Sequence, residues 1–101
     1  MNENYELIDN KEQHRYEFHI DNYIPLIEYT KTKNGEIYLI HTEVPEALEG
    51  KGIGSRLVKE VLADIKQKGL RLVPLCSFIA SYIQKHPEWK SIVLKNVLPA
   101  L

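Results

Sequence analysis

The sequence has little that would crosslink the chain, coat nucleic acid or cross a membrane. Its one cysteine, Cys76, excludes an internal disulfide and a cysteine-rich zinc module. Thirteen Lys and Arg residues against fourteen Asp and Glu residues give a net charge of −1, which argues against a protein that works mainly by covering phosphates. The uninterrupted apolar stretches are only a few residues long, far short of the roughly 20 residues that span a bilayer.

The overall composition is that of an ordinary globular protein. The chain has 101 residues, of which 44% are apolar and 27% are charged, so residues 1–101 fit one domain with a thin core. Its N-terminus has no basic region and no apolar run of the kind that a secretory signal has. The four histidines lack metal-ligand spacing, and no metal site is predicted. We therefore expect a cytoplasmic domain, a monomer, with neither nucleic acid nor membrane as a partner.

The first half of the chain has the two-residue period of strands. Tyr16, Phe18 and Ile20 alternate with polar residues, which is typical of a half-buried strand. Further strands are predicted over 24–30 and 36–44, with a short leading strand over 5–8. Asn34-Gly35 predicts a hairpin turn, because both residues tolerate positive φ. In the strand over 36–44, Glu43 is expected to share a face with Ile37, Leu39 and His41.

The period changes to that of a helix after Pro45, which ends the preceding strand because it has no N–H for the ladder. Apolar residues from Ile53 to Ile65 fall on one face of an amphipathic helix. Residues 70–75 form a short apolar strand, expected to be parallel to the strand over 36–44. A second helix is predicted over 77–85, with Ser77 as its N-cap, and residues 91–98 add a strand or a turn. The architecture is α+β, with an antiparallel meander, one parallel strand and two main helices.

The most informative segment joins a strand to a helix through a turn with three glycines. Gly50, Gly52 and Gly54 let the backbone approach a ligand closely, and the first N–H groups of the following helix favour an anion. Lys51 and Arg56 add positive charge. The alternative is that the glycines only make a tight strand-to-helix turn.

This segment resembles motif A of the GNAT N-acetyltransferase superfamily. The resemblance begins with a strand ending in Val44-Pro45, continues through Gly50-Lys-Gly-Ile-Gly54, and ends in an amphipathic helix. Thr42-Glu-Val-Pro45, Pro74-Leu-Cys-Ser77 and His86-Pro-Glu-Trp89 resemble the small, single-domain YjdJ/NATD1-type branch of that superfamily. The three blocks, in order, extend the resemblance over nearly the whole chain. It implies a GNAT-like mixed sheet that binds acetyl-CoA and transfers its acetyl group to an amine.

The resemblance implies specific residues for acetyl-CoA. The glycine turn would hold the pyrophosphate, and the backbone near Thr42 to Val44 would hydrogen-bond the pantetheine. The thioester would sit where the strand over 36–44 and the strand over 70–75 separate. The expected contact residues are Thr42, Val44, Gly50, Lys51, Gly52, Ile53, Gly54 and Ser55.

Two features depart from the family pattern. Glu49 occupies the position of the motif's first residue, where Gln or Arg is usual, and its carboxylate would repel a pyrophosphate. The two helices that usually lie between the first two strands of the family have no room here. The acceptor side is therefore expected to be open, which favours a bulky acceptor, such as a protein amine, or an accessory partner.

Candidate catalytic residues follow from the chemistry of the implied reaction. An amine that attacks a thioester must lose a proton, so a general base is needed. Glu43, or alternatively Glu46, is placed to serve directly or through a water, although a carboxylate at a strand end is often only solvated. The backbone N–H near Val44 is the candidate donor to the oxyanion.

Cys76 is the second catalytic candidate. It lies between a strand and a helix N-terminus, an environment that favours thiolate. Such a thiol is suited to accept acetyl transiently or to lie beside the leaving thiolate. The alternative is a small buried hydrophobe after a core strand.

The sequence is compatible with three functions. The first is an acetyl-CoA-dependent N-acetyltransferase that works by direct attack in a ternary complex. The second is a non-catalytic acyl-CoA-binding or sensing module on the same fold. The third is a protein-interaction domain in which the glycine turn binds nothing. Acetyl-CoA binding separates the third from the others, and turnover on amines separates the first two.

Overall fold

The computed structural model describes residues 5–97, which are built around a five-stranded sheet with its strands in chain order. The strands are β1 (Ile8–Asn10), β2 (Arg15–Glu17), β3 (Leu26–Lys31), β4 (Glu36–Glu43) and β5 (Arg71–Pro74), and the helices are α1 (Ile53–Gln67) and α2 (Ser77–Lys85). Short 3₁₀ turns cover Glu46–Leu48 and Pro87–Ile92. Neighbouring strands are antiparallel except β4 and β5, which are parallel. The predicted α+β fold, with a meander and one parallel strand, is confirmed.

Both helices pack on the same face of the sheet, which we call the helix face. The buried residues of α1 and α2 join one core cluster with Ile37, Leu39 and Leu72 of the sheet. Leu26 and Val73, which point to the opposite face, are buried but lie outside that cluster. We call this opposite face the open face, because no helix of residues 5–97 covers it. No helix precedes residue 46 in the described part of the chain, as the sequence led us to expect.

The sequence dictates both the buried face and the ends of α1. Its buried residues recur at helical spacing, and each contributes roughly 1.5–3 kcal/mol by leaving water. Gly52, in the left-handed conformation, precedes the helix, and Gly69, with φ of 69°, follows it. The Leu70 N–H then bonds the carbonyl of Ile65 at 3.1 Å, which satisfies a carbonyl of the last turn. The buried residues are Ile53, Leu57, Val58, Val61, Leu62 and Ile65.

A β-bulge in β4 changes which side chains point to the helix face. Tyr29 pairs with Leu39, but the preceding residue Glu28 pairs with His41, so Ile40 is the extra residue. Before the bulge the odd-numbered residues of β4 are buried, and after it Thr42 turns to the helix face instead. The prediction that Glu43 shares a face with Ile37 and Leu39 is therefore wrong. Glu43 does share a face with His41, and that face is the open one.

Some strand bounds differ from the predicted ones because turns intervene. β2 ends at Glu17, and Ile20 instead forms an isolated bridge with Tyr23 across a turn in which Asp21 has φ of 54°. The leading strand lies at Ile8–Asn10 rather than over 5–8. At the hairpin before β4, Gly35 has positive φ but Asn34 does not, so only half of the predicted turn geometry is present. In the segment 91–98, where a strand or a turn was predicted, Val93 forms a parallel bridge with Leu72. Residue 98 of that segment lies outside the described residues.

Glu17 is a buried carboxylate on the open face, although the alternating pattern predicted an exposed residue. Arg15 Nε lies 2.5 Å and His19 Nε2 lies 2.8 Å from its oxygens, and Asn10 Nδ2 donates to it at 2.9 Å. Burial raises the pKa of Glu17, but the hydrogen bonds from Arg15, His19 and Asn10 lower it, and the net shift is downward. The carboxylate thus holds β1 and β2 together in its ionised form.

We expect Glu17 to make the free energy of unfolding fall as the pH is lowered into the acidic range. Because its pKa is lowered by folding, its contribution is present above the unfolded-state pKa of about 4.3 and is lost as pH falls through the folded value. Glu17→Gln should lower the free energy of unfolding by about 2 kcal/mol at pH 7 and flatten its decline below pH 4. Urea denaturation from pH 3 to 7 measures both. The exposed Glu60→Gln variant is the control, and an equal effect there would contradict the assignment to Glu17.

Candidate functional site

The glycine turn forms a cavity at the N-terminus of α1. The cavity has a volume of about 250 Å³, and its lining includes Val44, Glu49 and Phe78. Gly50 and Gly52 have φ of 79° and 73°, a backbone conformation that residues other than glycine rarely adopt. The first-turn N–H groups of a helix have no partners within the helix, so this end of α1 suits an anion. The remaining lining residues are Leu48, Gly50, Gly52, Ile53, Gly54 and Ser55.

Gly54 lets α2 approach α1 closely at this cavity. A Cβ at position 54 would lie 3.2 Å from Phe78 Cζ and 3.3 Å from Val44 Cγ2. The Phe78 ring is nevertheless 44% exposed, so it forms a wall of the cavity rather than part of the core. At position 54 the absence of a Cβ leaves room for Phe78 and Val44, whereas at positions 50 and 52 glycine accommodates a positive φ.

A second cavity, of about 440 Å³, continues along α2. It shares Ser55 and Phe78 with the first cavity, so the two form one groove from the glycine turn to the end of α2. At the far end, the rings of Tyr82 and His86 lie 4.3 Å apart between centroids, and Lys85 adds a positive charge. The groove is therefore long, with a polar and cationic far end.

The sheet opens beside this groove, between β4 and β5. Their pairing ends at Leu39 and Pro74, and the N–H groups of both Leu75 and Cys76 bond the Leu39 carbonyl, at 3.0 and 3.1 Å. β4 continues to Glu43, paired with β3 on one side only. No strand in residues 5–97 pairs with the other side of residues 40–43. The separation of the two strands coincides with the bulge at Ile40.

Cys76 lies at this gap, opposite Thr42. Its thiol donates to Thr42 Oγ1 at 3.4 Å. Cys76 itself is the N-cap of α2, and Ser77, the predicted N-cap, is the first helical residue. Burial raises the pKa of the Cys76 thiol, but the Thr42 hydroxyl and the N–H groups of Ile79 and Phe78 lower it, and the net shift is downward. A half-buried thiol with a lowered pKa thus lies at the gap.

The lowered pKa predicts that Cys76 is alkylated at a lower pH than an ordinary cysteine. The midpoint of the iodoacetamide reaction rate against pH should fall below about 8.5. Thr42→Val should raise the midpoint, because the valine cannot donate to the thiolate. Cys76 is the chain's one cysteine, so mass spectrometry of the intact protein follows this reaction directly. A midpoint above 8.5, or one that Thr42→Val leaves unchanged, would contradict the thiolate environment.

The structure places most of the expected acetyl-CoA contacts together, with Lys51 as the exception. The glycines, Ile53, Ser55 and Val44 line the first cavity, and Thr42 lies at the gap. Lys51 does not line the first cavity; with Tyr5 and Asp21 it lines a neighbouring one, which shares Leu48 and Ile53 with the first. The Arg56 guanidinium carbon lies 4.8 Å from the centroid of the Tyr5 ring. Glu49, at the unusual motif position, does line the first cavity.

The catalytic candidates are on two sides of the gap. Cys76 contacts Thr42 on the helix face, whereas Glu43 is on the open face, with its Oε1 3.3 Å from His41 Nε2. Glu46, the alternative base, is exposed at the start of a 3₁₀ turn. Within residues 5–97, no cluster of three or more His, Cys, Asp or Glu side chains is arranged to hold a metal ion.

Sequence reasoning missed the α2 side of the groove. Phe78, Ser81 and Lys85 line it, but their separation from the glycine turn along the chain gave no signal of that proximity. One sign was available for the bulge. Leu39 and Ile40 are both apolar and His41 and Thr42 are both polar, so the strict alternation breaks at this point.

Comparisons with known proteins identify the family of this chain. The family model described as GCN5-related N-acetyl-transferase matches residues 15–92. The chain is 33% identical over 67 residues to Protein NATD1 of Xenopus tropicalis, an alignment of 66% of this chain and 60% of that protein. It is 37% identical over 49 residues to human Protein NATD1, which covers 48% of this chain and 43% of that protein. The chain thus spans less than two thirds of the length of these relatives.

A solved structure is similar over nearly the whole chain. The solution structure of a GCN5-like protein from Staphylococcus aureus superposes with a TM-score of 0.69 at 27% identity. The superposition covers 90% of this chain and 89% of that one. The two proteins therefore share the mixed-sheet fold. The chain belongs to the GCN5-related N-acetyltransferase family.

The helices of the described residues are not of the membrane-spanning type. The longer one, α1, has 15 residues with charged residues along its exposed side, and none between residues 5 and 97 is both long and apolar enough to cross a bilayer.

Proposed function

We propose that this protein is an N-acetyltransferase that moves the acetyl group of acetyl-CoA to an amine by direct attack in a ternary complex. One observation supports the proposal most: the β4–β5 gap opens beside the glycine-turn groove. The gap therefore connects the groove on the helix face with the open face of the sheet. A thioester at the gap would be accessible from both faces.

The residues of the groove fit acetyl-CoA. The N–H groups around Gly50 and Gly52 to Ser55 would hold the pyrophosphate, because their positive-φ turn and helix N-terminus suit an anion. The close approach at Gly54 leaves a walled groove rather than a flat surface. The backbone from Thr42 to Val44, at the unpaired end of β4 and just beyond it, would bind the pantetheine. Acetyl-CoA supplies an acetyl group activated as a thioester.

The chain's own residues would then handle protons and charge. The open face presents Glu43, the candidate for taking the proton of the amine, beside the gap. The N–H of Val44 is the candidate donor to the oxyanion. Cys76, on the other side of the gap, has two open roles: transient acetyl acceptor, or neighbour of the leaving thiolate. The open face favours a bulky acceptor such as the amine of a protein.

A second candidate function is a non-catalytic acyl-CoA-binding or sensing module, and Glu49 favours it. This acidic residue lines the cavity that would hold a pyrophosphate. Two negative charges in a solvated cavity repel by roughly 1 kcal/mol at 4 Å, which weakens binding without preventing it.

Amine acetylation tests the two candidates directly. The purified chain is incubated with acetyl-CoA and butylamine, spermidine or a lysine-containing peptide, and the acceptor is analysed by mass spectrometry. We expect an enzyme-dependent mass gain of one acetyl group, reduced in Glu43→Gln or Cys76→Ala. Acetyl-CoA binding without turnover on any amine would favour the module. Turnover that both substitutions leave unchanged would contradict the roles of Glu43 and Cys76.

A further inference from the structure

The bulge at Ile40 places a histidine and a carboxylate together at the gap. His41 and Glu43 follow the last β4–β5 pair, at Leu39, and both side chains are on the open face. Their side chains are 53% and 63% exposed, so a substrate can reach them. Both lie on the part of β4 that has no strand beside it on the gap side.

The His41 ring and the Glu43 carboxylate contact each other. His41 Nε2 lies 3.3 Å from Glu43 Oε1, and no other residue between 5 and 97 makes a hydrogen bond with the ring. When Nε2–H donates to the carboxylate, the ring is held in the tautomer whose Nδ1 carries a free lone pair. Nδ1 is then available as a proton acceptor. A carboxylate that orients an imidazole in this way is a recurring arrangement for a general base.

We propose that His41 accepts the proton of the acceptor amine, and that Glu43 is a positioning residue that acts through His41. This assignment rests on the proposed acetyl transfer and replaces direct proton acceptance by Glu43. The neutral amine attacks the thioester carbon, so that a C–N bond forms and the nitrogen gains a positive charge. Its proton passes to Nδ1 of His41. The C–S bond then breaks, the thiolate leaves with the electron pair, and solvent reprotonates the thiolate and deprotonates the imidazolium.

The charged groups around His41 suit this step. Glu43 contacts the ring from the same strand, and Glu28 lies directly opposite on β3. Arg15 of β2 is opposite Glu28 in turn, one strand further from His41. On the gap side, no strand of the described residues faces His41. Two carboxylate residues, Glu43 and Glu28, thus share the open face with the ring.

The pH dependence of kcat/KM tests the assignment with the full chain, acetyl-CoA and the lysine-containing peptide. Because a general base must be unprotonated to accept the proton, kcat/KM of the wild type should rise with pH along one limb. His41→Gln should lower kcat by about 10²–10⁴-fold and remove the limb. Glu43→Gln should lower kcat about tenfold but keep a limb that still requires His41. Added imidazole should partly restore His41→Gly and leave Glu43→Gln unchanged.

A matched histidine provides the control. His19 pairs with Glu17 through Nε2 at 2.8 Å and is 52% exposed, but it follows β2, which lies two strands away from β4 in the sheet. His19→Gln should keep the wild-type pH profile. Acetyl-CoA affinity, measured separately, should be unchanged in His41→Gln and Glu43→Gln, which distinguishes lost chemistry from lost binding or folding.

Two results would overturn the assignment in different ways. A limb that persists in His41→Gln and disappears in Glu43→Gln would make Glu43 the base and leave the acetyltransferase function in place. Absence of wild-type turnover on every amine would overturn the proposed function and the role of His41 with it.

Discussion

Gly52→Ala is expected to weaken acetyl-CoA binding at least tenfold. Gly52 precedes α1 with φ of 73°, a conformation that costs an alanine about 1–2 kcal/mol. No heavy atom lies within 4 Å of where its Cβ would be, so the cost is conformational and not steric. The chain relieves the strain by rotating the turn, which moves the N–H groups that would hold the pyrophosphate. Isothermal titration calorimetry measures the loss of affinity.

Gly69→Ala is the matched control for this prediction. Gly69 lies just beyond the other end of α1, has φ of 69°, and also has no heavy atom near its would-be Cβ. Both variants should lose about 1–2 kcal/mol of folding stability, since both carry the same backbone strain. Only Gly52→Ala should lose affinity. Equal affinities in the two variants would contradict the assignment of the glycine turn.

Glu49→Arg is expected to tighten acetyl-CoA binding by about tenfold. Glu49 lines the glycine-turn cavity, and the substitution replaces a repelling charge by one that forms bidentate hydrogen bonds with phosphate. A tenfold change corresponds to about 1.4 kcal/mol, in the range expected for charges near a solvated surface. The gain should shrink at high ionic strength because salt screens exposed charges. Calorimetric titrations at two salt concentrations measure both effects.

Glu60→Arg makes the same charge change on the exposed side of α1, away from the cavity. It should alter affinity by much less than Glu49→Arg. Weaker binding in Glu49→Arg, or an equal gain in Glu60→Arg, would show that position 49 does not face the pyrophosphate.

The sequence predicted best those elements whose signal is periodic and local. The apolar spacing from Ile53 to Ile65 defines α1, because a helix must bury one face to be stable. The bounds of α2, Ser77–Lys85, were also predicted, because His86 precedes a proline and such a residue avoids the helical region. The strand, helix, strand order implied the parallel pairing of β4 and β5.

Features that depend on contacts between strands were harder to predict. The prediction of which sheet face Glu43 occupies was wrong, because one extra residue, Ile40, reverses the alternation for the rest of β4. The burial of Glu17 was not predicted, because alternation carries no information about its three partners, which lie on β1, on β2 and just beyond β2. Both cases involve register, which neighbouring strands set.

In the candidate site, too, local features were predictable and features that depend on packing were not. The glycine turn was predictable because positive φ and close backbone approach require glycine at particular positions. The position of Phe78 against Gly54 was not, because it depends on how α2 packs beside α1. The placement of Lys51 outside the glycine-turn cavity likewise depends on the fold of the N-terminal residues, including Tyr5.

The central claim is that the glycine turn and the β4–β5 gap together bind acetyl-CoA. The most direct measurement is an NMR titration of the labelled chain with acetyl-CoA, following the backbone amides up to low millimolar ligand. The account predicts saturable shifts centred on Val44 and on residues 50–55, extending through the gap to Cys76. Amides unaffected by the ligand, or shifts confined to the basic cleft around Arg71, Lys90 and Lys95, would contradict it.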